Sequence, residues 1–261
     1  PLIARMDADD WAHESRFASQ IEAFQRSAGL VVCGSNATHV DEQMRPLFHT
    51  VLPVSDWDIR CAALFENPFA HPSVMMRAEA FHRAGGYNEE FSTTQDYDLW
   101  IRLFAQGEVC NLKESLVKMR RHGESVSARM HQEQSDRTGE IQHDYARQWL
   151  GISGWDVSRY RNITRHLYCG PSPAPTDSYD GIRTLRDALK IVAQLEARYP
   201  GNPNSWIKRY VTGRCIWSAL RRPVNIGRVS QALSLAICRP GAVLRGLTHL
   251  AQAAWQNRAG A

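Results

Sequence analysis

Residues 2–10 read LIARMDADD, and they decide how the rest of the chain is interpreted. Residues 2–4 form a short apolar run, which is typical of the end of a buried strand. The carboxylates of Asp7, Asp9 and Asp10 follow that strand at once, and we call them the acidic turn. Because ligands bind outside the carboxyl ends of strands in open α/β sheets, the acidic turn is a candidate site.

Two interpretations of the acidic turn stay open at this point. Carboxylates packed this closely repel one another unless a cation or hydrogen-bond donors compensate them. Mg²⁺ or Mn²⁺, bound by one or two carboxylates and ligand phosphates, suits the spacing. Alternatively, Asp9 or Asp10 caps a helix whose apolar positions, Phe17, Ile21 and Phe24, recur at helical spacing.

Strands and helices alternate along the first half of the chain. Apolar runs bounded by Gly or Pro predict strands, and amphipathic stretches predict helices. Strands are expected at 30–34, 72–77 and 116–120, with helices at 56–66, 78–84 and 96–107. This alternation predicts an α/β fold with a mostly parallel or mixed sheet.

The second half of the sequence has a helical pattern. Helices are expected at 129–150, 182–198, 203–220, 226–237 and 242–255, and the Pro-containing stretch near 170–176 is the clearest linker. We therefore predict a catalytic domain at 1–127 and an all-helical region at 128–261.

A second pair of carboxylates, Asp96 and Asp98, lies at the start of a predicted helix. The helix dipole favours ionised carboxylates there, and such a group can accept a proton from a bound hydroxyl as a general base. Ordinary helix capping explains the same pair. Trp100, one turn further on, is expected in the core.

Two histidines and a glycine turn complete the candidate residues. His71 and His122 lie at the ends of predicted strands, where either a structural role or, for His122, completion of a metal site is open. Gly86 lies in the Gly-Gly-Tyr turn that ends at Tyr87, where glycine permits a positive φ.

Composition excludes several classes of protein. The chain has 261 residues, of which 43% are hydrophobic and 22% charged, as in folded globular proteins. No apolar run reaches the roughly 18–20 residues that span a bilayer. The six cysteines form no CxxC pair, which favours a reducing cytoplasm over a disulfide scaffold. No phosphate-binding P-loop, dinucleotide fingerprint or GxSxG elbow is present.

The net charge of +4 conceals a split. Ten basic and no acidic residues follow Glu196, which leaves 21 basic against 27 acidic side chains in residues 1–196. The basic tail, residues 197–261, also carries tryptophans, which suits peripheral attachment to the inner face of the cytoplasmic membrane. Solvated helix faces are the alternative, and the absence of a recognised motif argues against nucleic acid.

Taken in order, these segments resemble bacterial family 2 glycosyltransferases. The similarity covers roughly residues 1–127 and rests on the blocks 5–10, 16–20, 31–35, 67–77, 85–87, 95–102 and 120–127. The resemblance implies a partial GT-A fold, a Rossmann-like mixed sheet, and inverting transfer from a nucleotide-diphosphate sugar.

The resemblance also implies residue roles. Asp7, Asp9 and Asp10 would hold Mn²⁺ or Mg²⁺ against the diphosphate, with His122 as a further metal ligand. Asp96 would be the base that deprotonates the acceptor hydroxyl. The family usually has Glu-Asp where this chain has Gln95-Asp96, so only the second acid is carried over.

The acceptor implied by the resemblance is a saccharide or lipid-linked hydroxyl of an envelope polysaccharide. Candidates for the acceptor side are His71, Gly86, Tyr87, Asp98 and Trp100. The QxxRW block of processive synthases is missing, which favours addition of a single sugar.

The resemblance has one departure, because the family carries further nucleotide-binding strands ahead of the acidic turn. We expect the chain to be the C-terminal portion of a larger enzyme, to expose a long unpaired strand and to bind donor poorly by itself. A non-catalytic remnant that binds membrane or a partner through its basic helices is the alternative. A metal-dependent hydrolase is a weaker one, since no second metal cluster is seen.

Overall fold

The computed structural model describes residues 1–91, 93–121, 131–154, 156–167, 181–201, 207, 210 and 211. The chain divides into two compact units, the first containing residues 1–137 and the second beginning at Thr138. The predicted domain boundary at 127/128, the linker near 170–176 and nearly all of the basic tail lie outside the described residues.

The first unit alternates strands and helices. The strands are β1 (Leu2–Ala4), β2 (Trp11–Ala12), β3 (Leu30–Val40), β4 (Pro46–His49), β5 (Met75–Arg77) and β6 (Glu108–Arg120). The helices are α1 (Arg16–Arg26), α2 (Asp56–Ala62), α3 (Ala78–Arg83) and α4 (Gln95–Phe104), and a 3₁₀ turn covers His71–Ser73.

The six strands form one mixed sheet in the order β1-β5-β3-β6-β2, with β4 also pairing with β3. β5 is antiparallel to both β1 and β3, while β3 and β6 are parallel. β1, β3 and β6 therefore run in the same direction, and their carboxyl ends meet at one edge of the sheet. The predicted α/β class with a mixed sheet is confirmed.

The core of this unit surrounds β3. That strand is buried at ten of its eleven positions, as expected for a strand covered on both faces. Helix α4 packs Leu99, Trp100 and Leu103 into the core, each with 0% exposure. The Tyr97 hydroxyl donates to the Ala63 carbonyl at 2.7 Å, which ties α4 to the end of α2.

Helix α1 differs from its prediction. Its buried positions are Arg16, Gln20 and Phe24, whereas Phe17 and Ile21 are 52% and 41% exposed. Its N-cap is Ser15, so the predicted caps Asp9 and Asp10 are wrong. The reason is β2, which pairs with β6 between the acidic turn and the helix.

The edge of the sheet also differs from its prediction. β1 lies at the edge, beside β5 alone among the described strands, but is only three residues long. The expected unpaired strand is therefore a short one.

Three helices follow β6: α5 (His131–Leu150), α6 (Val157–Leu167) and α7 (Gly181–Arg198). The described residues from Thr138 onward contain no strand, in agreement with the helical prediction, although α6 was not predicted. Gly139 permits close packing of α5 on α6, because a Cβ there would lie 2.8 Å from the Arg161 Cα. A search for bilayer-spanning segments among the described residues finds no helix with the necessary length and apolarity.

Candidate active site

A cleft of about 690 Å³ opens at the edge where β1, β3 and β6 end. Arg5 and the acidic turn line it from the end of β1, His39 from β3, and residues 119–121 from β6. Asp96, at the start of α4, lines the same cleft. Ligand binding beyond the carboxyl ends of strands is the arrangement expected for an open α/β sheet.

Hydrogen bonds and an ion pair hold the acidic turn. The guanidinium of Arg5 lies 2.5 Å from the Asp7 carboxylate, and the Asp10 N–H donates to the Asp7 carbonyl at 3.3 Å. The Asp10 carboxylate accepts the N–H of Arg120 at 2.9 Å. Burial, with the nearby Asp7 and Asp9 charges, raises the pKa of Asp10, although the Arg120 N–H opposes that shift. The turn is thus a pre-formed concentration of negative charge.

Arg16 and Gln20 brace the backbone that leads into the acidic turn. The buried Arg16 guanidinium donates to the Arg5 carbonyl at 2.7 Å and to the Val74 carbonyl at 3.3 Å. The Gln20 amide donates to the carbonyls of Cys33 and Ser73 at 2.7 and 2.8 Å. One turn of α1 therefore fixes β1, β3 and β5 relative to one another.

Helix α4 begins at the cleft with a strained residue. Thr94, its N-cap, has φ 63°, which is rare for a β-branched side chain, and such outliers concentrate at functional sites. Asp96 lies in the first turn and accepts the Asn67 side-chain amide at 2.7 Å. The carboxylate that sequence analysis offered as a base therefore faces the cleft with one oxygen held.

Asp98 and Trp100 are not among the residues that line the cleft. The Asp98 carboxylate pairs with Arg102 at 2.6 Å, and Arg102 also donates to the Ala84 carbonyl. Trp100 is fully buried and packs edge-on against Phe69 at 5.3 Å between ring centroids. Both residues support α4 rather than contribute to the cleft wall.

His71 lines the cleft and contacts Tyr87, its partner from the glycine turn. The His71 Nε2 atom lies 2.9 Å from the Tyr87 hydroxyl. Burial lowers the pKa of His71, although the Asp96 charge opposes the shift. Gly85 and Gly86 have φ of 83° and 70°, as the turn requires. Tyr87 contacts His71, but neither Tyr87 nor Gly86 is among the lining residues.

The acidic turn offers the donor type that Mg²⁺ and Mn²⁺ prefer. These ions take one or two protein carboxylates plus phosphate oxygens, and Asp7 and Asp9 both line the cleft. No group of three or more metal-ligating side chains occurs in the part of the chain that is described. His122, the expected third ligand, lies outside that part. The carboxylates fit an ion shared with a bound diphosphate.

No role was predicted from the sequence for His39 and Asn67, which line the cleft, or for Asn111, which holds the adjoining loop. His39 is 7% exposed with its Nδ1 unbonded in the described structure, Asn67 contacts Asp96, and Asn111 is 1% exposed. A polar side chain in an apolar stretch, such as Asn111 between Val109 and Leu112, is the signal that could have singled one of them out.

Comparison with known proteins finds similar sequences among glycosyltransferases. The amylovoran biosynthesis glycosyltransferase AmsE of Erwinia amylovora is 33% identical over 129 residues, 49% of this chain and 48% of AmsE. The putative glycosyltransferase EpsE of Bacillus subtilis is 30% identical over 130 residues, 49% of this chain and 46% of EpsE. These relatives support a glycosyltransferase family.

A third relative extends the comparison. The O-antigen biosynthesis glycosyltransferase WbnJ of Escherichia coli is 27% identical over 134 residues, 48% of this chain and 49% of WbnJ. The chain thus spans about half the length of the curated relatives it matches. No protein-family model matches it.

Proposed function

We propose that this chain carries the acceptor side of an inverting, metal-assisted family 2 glycosyltransferase of polysaccharide biosynthesis. The observation that carries the proposal is that Asp9 of the acidic turn and Asp96 of α4 line one cleft. Had the two carboxylates faced different surfaces of the sheet, they could not act on one reaction. The names of AmsE, an amylovoran biosynthesis glycosyltransferase, and WbnJ, an O-antigen biosynthesis glycosyltransferase, support a role in polysaccharide biosynthesis.

The donor, a nucleotide-diphosphate sugar, binds with its diphosphate at the acidic turn. Asp7 and Asp9 would hold Mn²⁺ or Mg²⁺, and the ion would supply positive charge to offset the charge that builds on the leaving diphosphate. The Arg5 guanidinium, 2.5 Å from Asp7 in the described structure, adds a positive charge at the same point of the cleft. The Arg16–Gln20 brace keeps this backbone rigid as charge develops.

The acceptor hydroxyl, from a saccharide or a lipid-linked saccharide, binds at the start of α4. Asp96 takes its proton as the oxygen attacks the anomeric carbon, and His71 lines the same cleft beside it. Attack from the side opposite the leaving diphosphate inverts the anomeric centre. Each group is effective only because the other is held in position.

Product analysis tests the proposed function directly. The protein, as its gene encodes it, is incubated with nucleotide-diphosphate sugars and oligosaccharide acceptors, with Mn²⁺ or Mg²⁺ supplied. We expect release of nucleoside diphosphate and a product of inverted anomeric configuration by proton NMR. Chelation should abolish turnover and added ion restore it. Retention of configuration contradicts the inverting mechanism, and turnover in chelator contradicts the metal.

We also propose peripheral attachment to the cytoplasmic leaflet through the basic tail. The support is the charge distribution in the sequence, with ten cations and no anions after Glu196, each worth about 1 kcal/mol near anionic lipid. Flotation with anionic vesicles should recover the protein, and neutral vesicles should not. Equal recovery on both contradicts electrostatic attachment.

A further inference from the structure

We propose that Asn67 is a positioning residue for Asp96, which it orients toward the acceptor hydroxyl. The inference rests on the proposed function, in which Asp96 is the base. Asn67 donates its side-chain N–H to Oδ2 of Asp96 at 2.7 Å. The other oxygen, Oδ1, is then left for the acceptor hydroxyl. The Asn67 amide therefore selects which carboxylate oxygen takes the proton.

The orientation of the Asn67 amide is fixed by a second bond. Its Oδ1 accepts the backbone N–H of Phe69 at 3.3 Å. A backbone N–H can only donate, so the oxygen of the amide must face Phe69 and the nitrogen must face Asp96. A flipped amide would lose the first bond and set its oxygen against a carboxylate.

The loop that carries Asn67 is itself pinned from the sheet. The buried Asn111 of β6 donates to the Pro68 carbonyl at 3.0 Å and to the Pro53 carbonyl at 2.7 Å. The residue before a proline is restricted to extended backbone, which further limits Asn67. Gly34 leaves the space for this contact, since a Cβ there would overlap the Asn111 amide.

Helix α4 presents Asp96 and Trp100 on one face, since they are four residues apart. Trp100 packs edge-on against Phe69 at 5.3 Å and against His71 at 6.0 Å between ring centroids. The loop therefore lies along this face of α4 with an apolar contact one turn from the Asn67–Asp96 bond. The Trp100 contacts hold the loop against α4 and so keep the Asn67 amide within hydrogen-bonding distance of Asp96.

Two substitutions separate an orienting donor from a merely structural side chain. Asn67→Asp keeps the size and the acceptor for Phe69, but it removes the donor and sets two carboxylates together, which would share a proton. Asn67→Ala removes both bonds. Asn67 lines the cleft, but its amide nitrogen and oxygen are both used by Asp96 and Phe69. We therefore expect both variants to lower kcat about ten- to a hundredfold with little change in the acceptor KM, because the amide aligns the base.

Asn36 supplies the matched control. Its amide also donates to a carbonyl, that of Lys113, and accepts a backbone N–H, that of Leu52, both at 2.8 Å. It faces no carboxylate in either bond. Asn36→Asp therefore makes the same chemical change elsewhere in the unit and should leave kcat unchanged, while melting curves verify that all variants are folded.

A spectroscopic measurement tests the contact without turnover. In amide-resolved NMR of the protein, one side-chain proton of Asn67 should lie downfield because it donates to a carboxylate. Asp96→Ala should move that proton upfield and leave the Asn36 amide protons unmoved. If the chemical shift of the Asn67 side-chain protons is the same in Asp96→Ala as in the wild type, the inference is overturned.

The kinetic outcomes separate this inference from the proposed function. If Asp96→Asn keeps full turnover, or if the wild-type protein transfers no sugar, the proposed function fails. If Asp96→Asn is inactive while folded Asn67→Asp keeps the wild-type kcat, only the positioning role fails. In the Asp96→Asn background, Asn67→Ala should cause no further loss, since the two residues act as one unit.

Discussion

The Asp10 carboxylate accepts the backbone N–H of Arg120 at 2.9 Å, across 110 positions of sequence. This bond joins the acidic turn to the end of β6. It draws a third carboxylate toward Asp7 and Asp9, and burial makes the ionised form of Asp10 unfavourable, as its raised pKa indicates. The ionised Asp10 carboxylate therefore lowers the free energy of unfolding relative to a neutral acceptor at the same position.

Asp10→Asn should keep the acceptor and remove the repulsion, so the free energy of unfolding at neutral pH should stay equal or rise. Asp10→Ala removes the acceptor as well and should lose about 1 kcal/mol relative to Asp10→Asn. Urea denaturation of the three proteins measures both differences. Equal destabilisation by Asn and Ala would show that the negative charge itself supports the turn.

Gly34→Ala should destabilise the first unit by about 1–3 kcal/mol, because overpacking forces neighbours to move. The new Cβ would overlap the Asn111 amide and lie 2.7 Å from the Phe69 ring. Gly29→Ala is the matched control, since its Cβ would meet nothing closer than 3.5 Å. Thermal unfolding that ranks the two variants equally would contradict the close approach at Gly34.

Arg16→Ala should cost about 1–3 kcal/mol, because it removes the guanidinium donor from the Arg5 carbonyl and one of the two donors of the Val74 carbonyl, which keeps the Arg5 N–H. Arg26, on the same helix, makes only an exposed ion pair with Glu22. Arg26→Ala should therefore change stability by less than about 0.5 kcal/mol. Chemical denaturation compares the two, and similar losses would argue against the brace.

His39 predicts a pH dependence of stability. Burial, with a smaller contribution from the Arg121 charge, lowers the pKa of His39 to about 4. The unfolded chain binds the proton more readily, so stability falls as pH drops from about 6.5 toward 4, by about 3 kcal/mol from this group. His39→Phe, which can still stack on Phe48, should flatten that part of the profile. A variant at the exposed His13 should not.

Local patterns predicted the strands that are apolar runs and the helices whose apolar residues recur at helical spacing. Residues 30–34 and the α4 stretch were recognised because their burial follows the period of the element. β3 continues to Val40 through Ser35, Asn36 and Thr38, polar residues whose partners come from the 3₁₀ turn, β6 and β4. No local period reveals such partners, so the strand appeared to end at Gly34.

Some residues of the candidate site could be predicted from local sequence, and others depend on distant parts of the chain. The acidic turn and Asp96 were found because carboxylates at element ends are visible in sequence, and the structure brings them to one cleft. The predicted helix α1 is present, but its buried face was predicted wrongly. Arg16 and Gln20 are buried because they donate to the carbonyls of Arg5, Cys33 and Ser73, whereas the apolar pattern placed these polar residues on the exposed side. The sequence gives no separate signal for Asn67, because its role depends on the contact with Asp96, 29 positions away.

The turnover of Asp96→Asn tests the central claim most directly. The variant keeps the size of the side chain and leaves the acidic turn intact, so nucleotide binding should be retained. Its kcat for sugar transfer should fall by about 10²–10⁴, the usual contribution of a general base. Asp58→Asn, at the first turn of α2, is the matched control and should turn over as wild type. An Asp96→Asn protein with kcat within about threefold of wild type would contradict the assignment of this cleft.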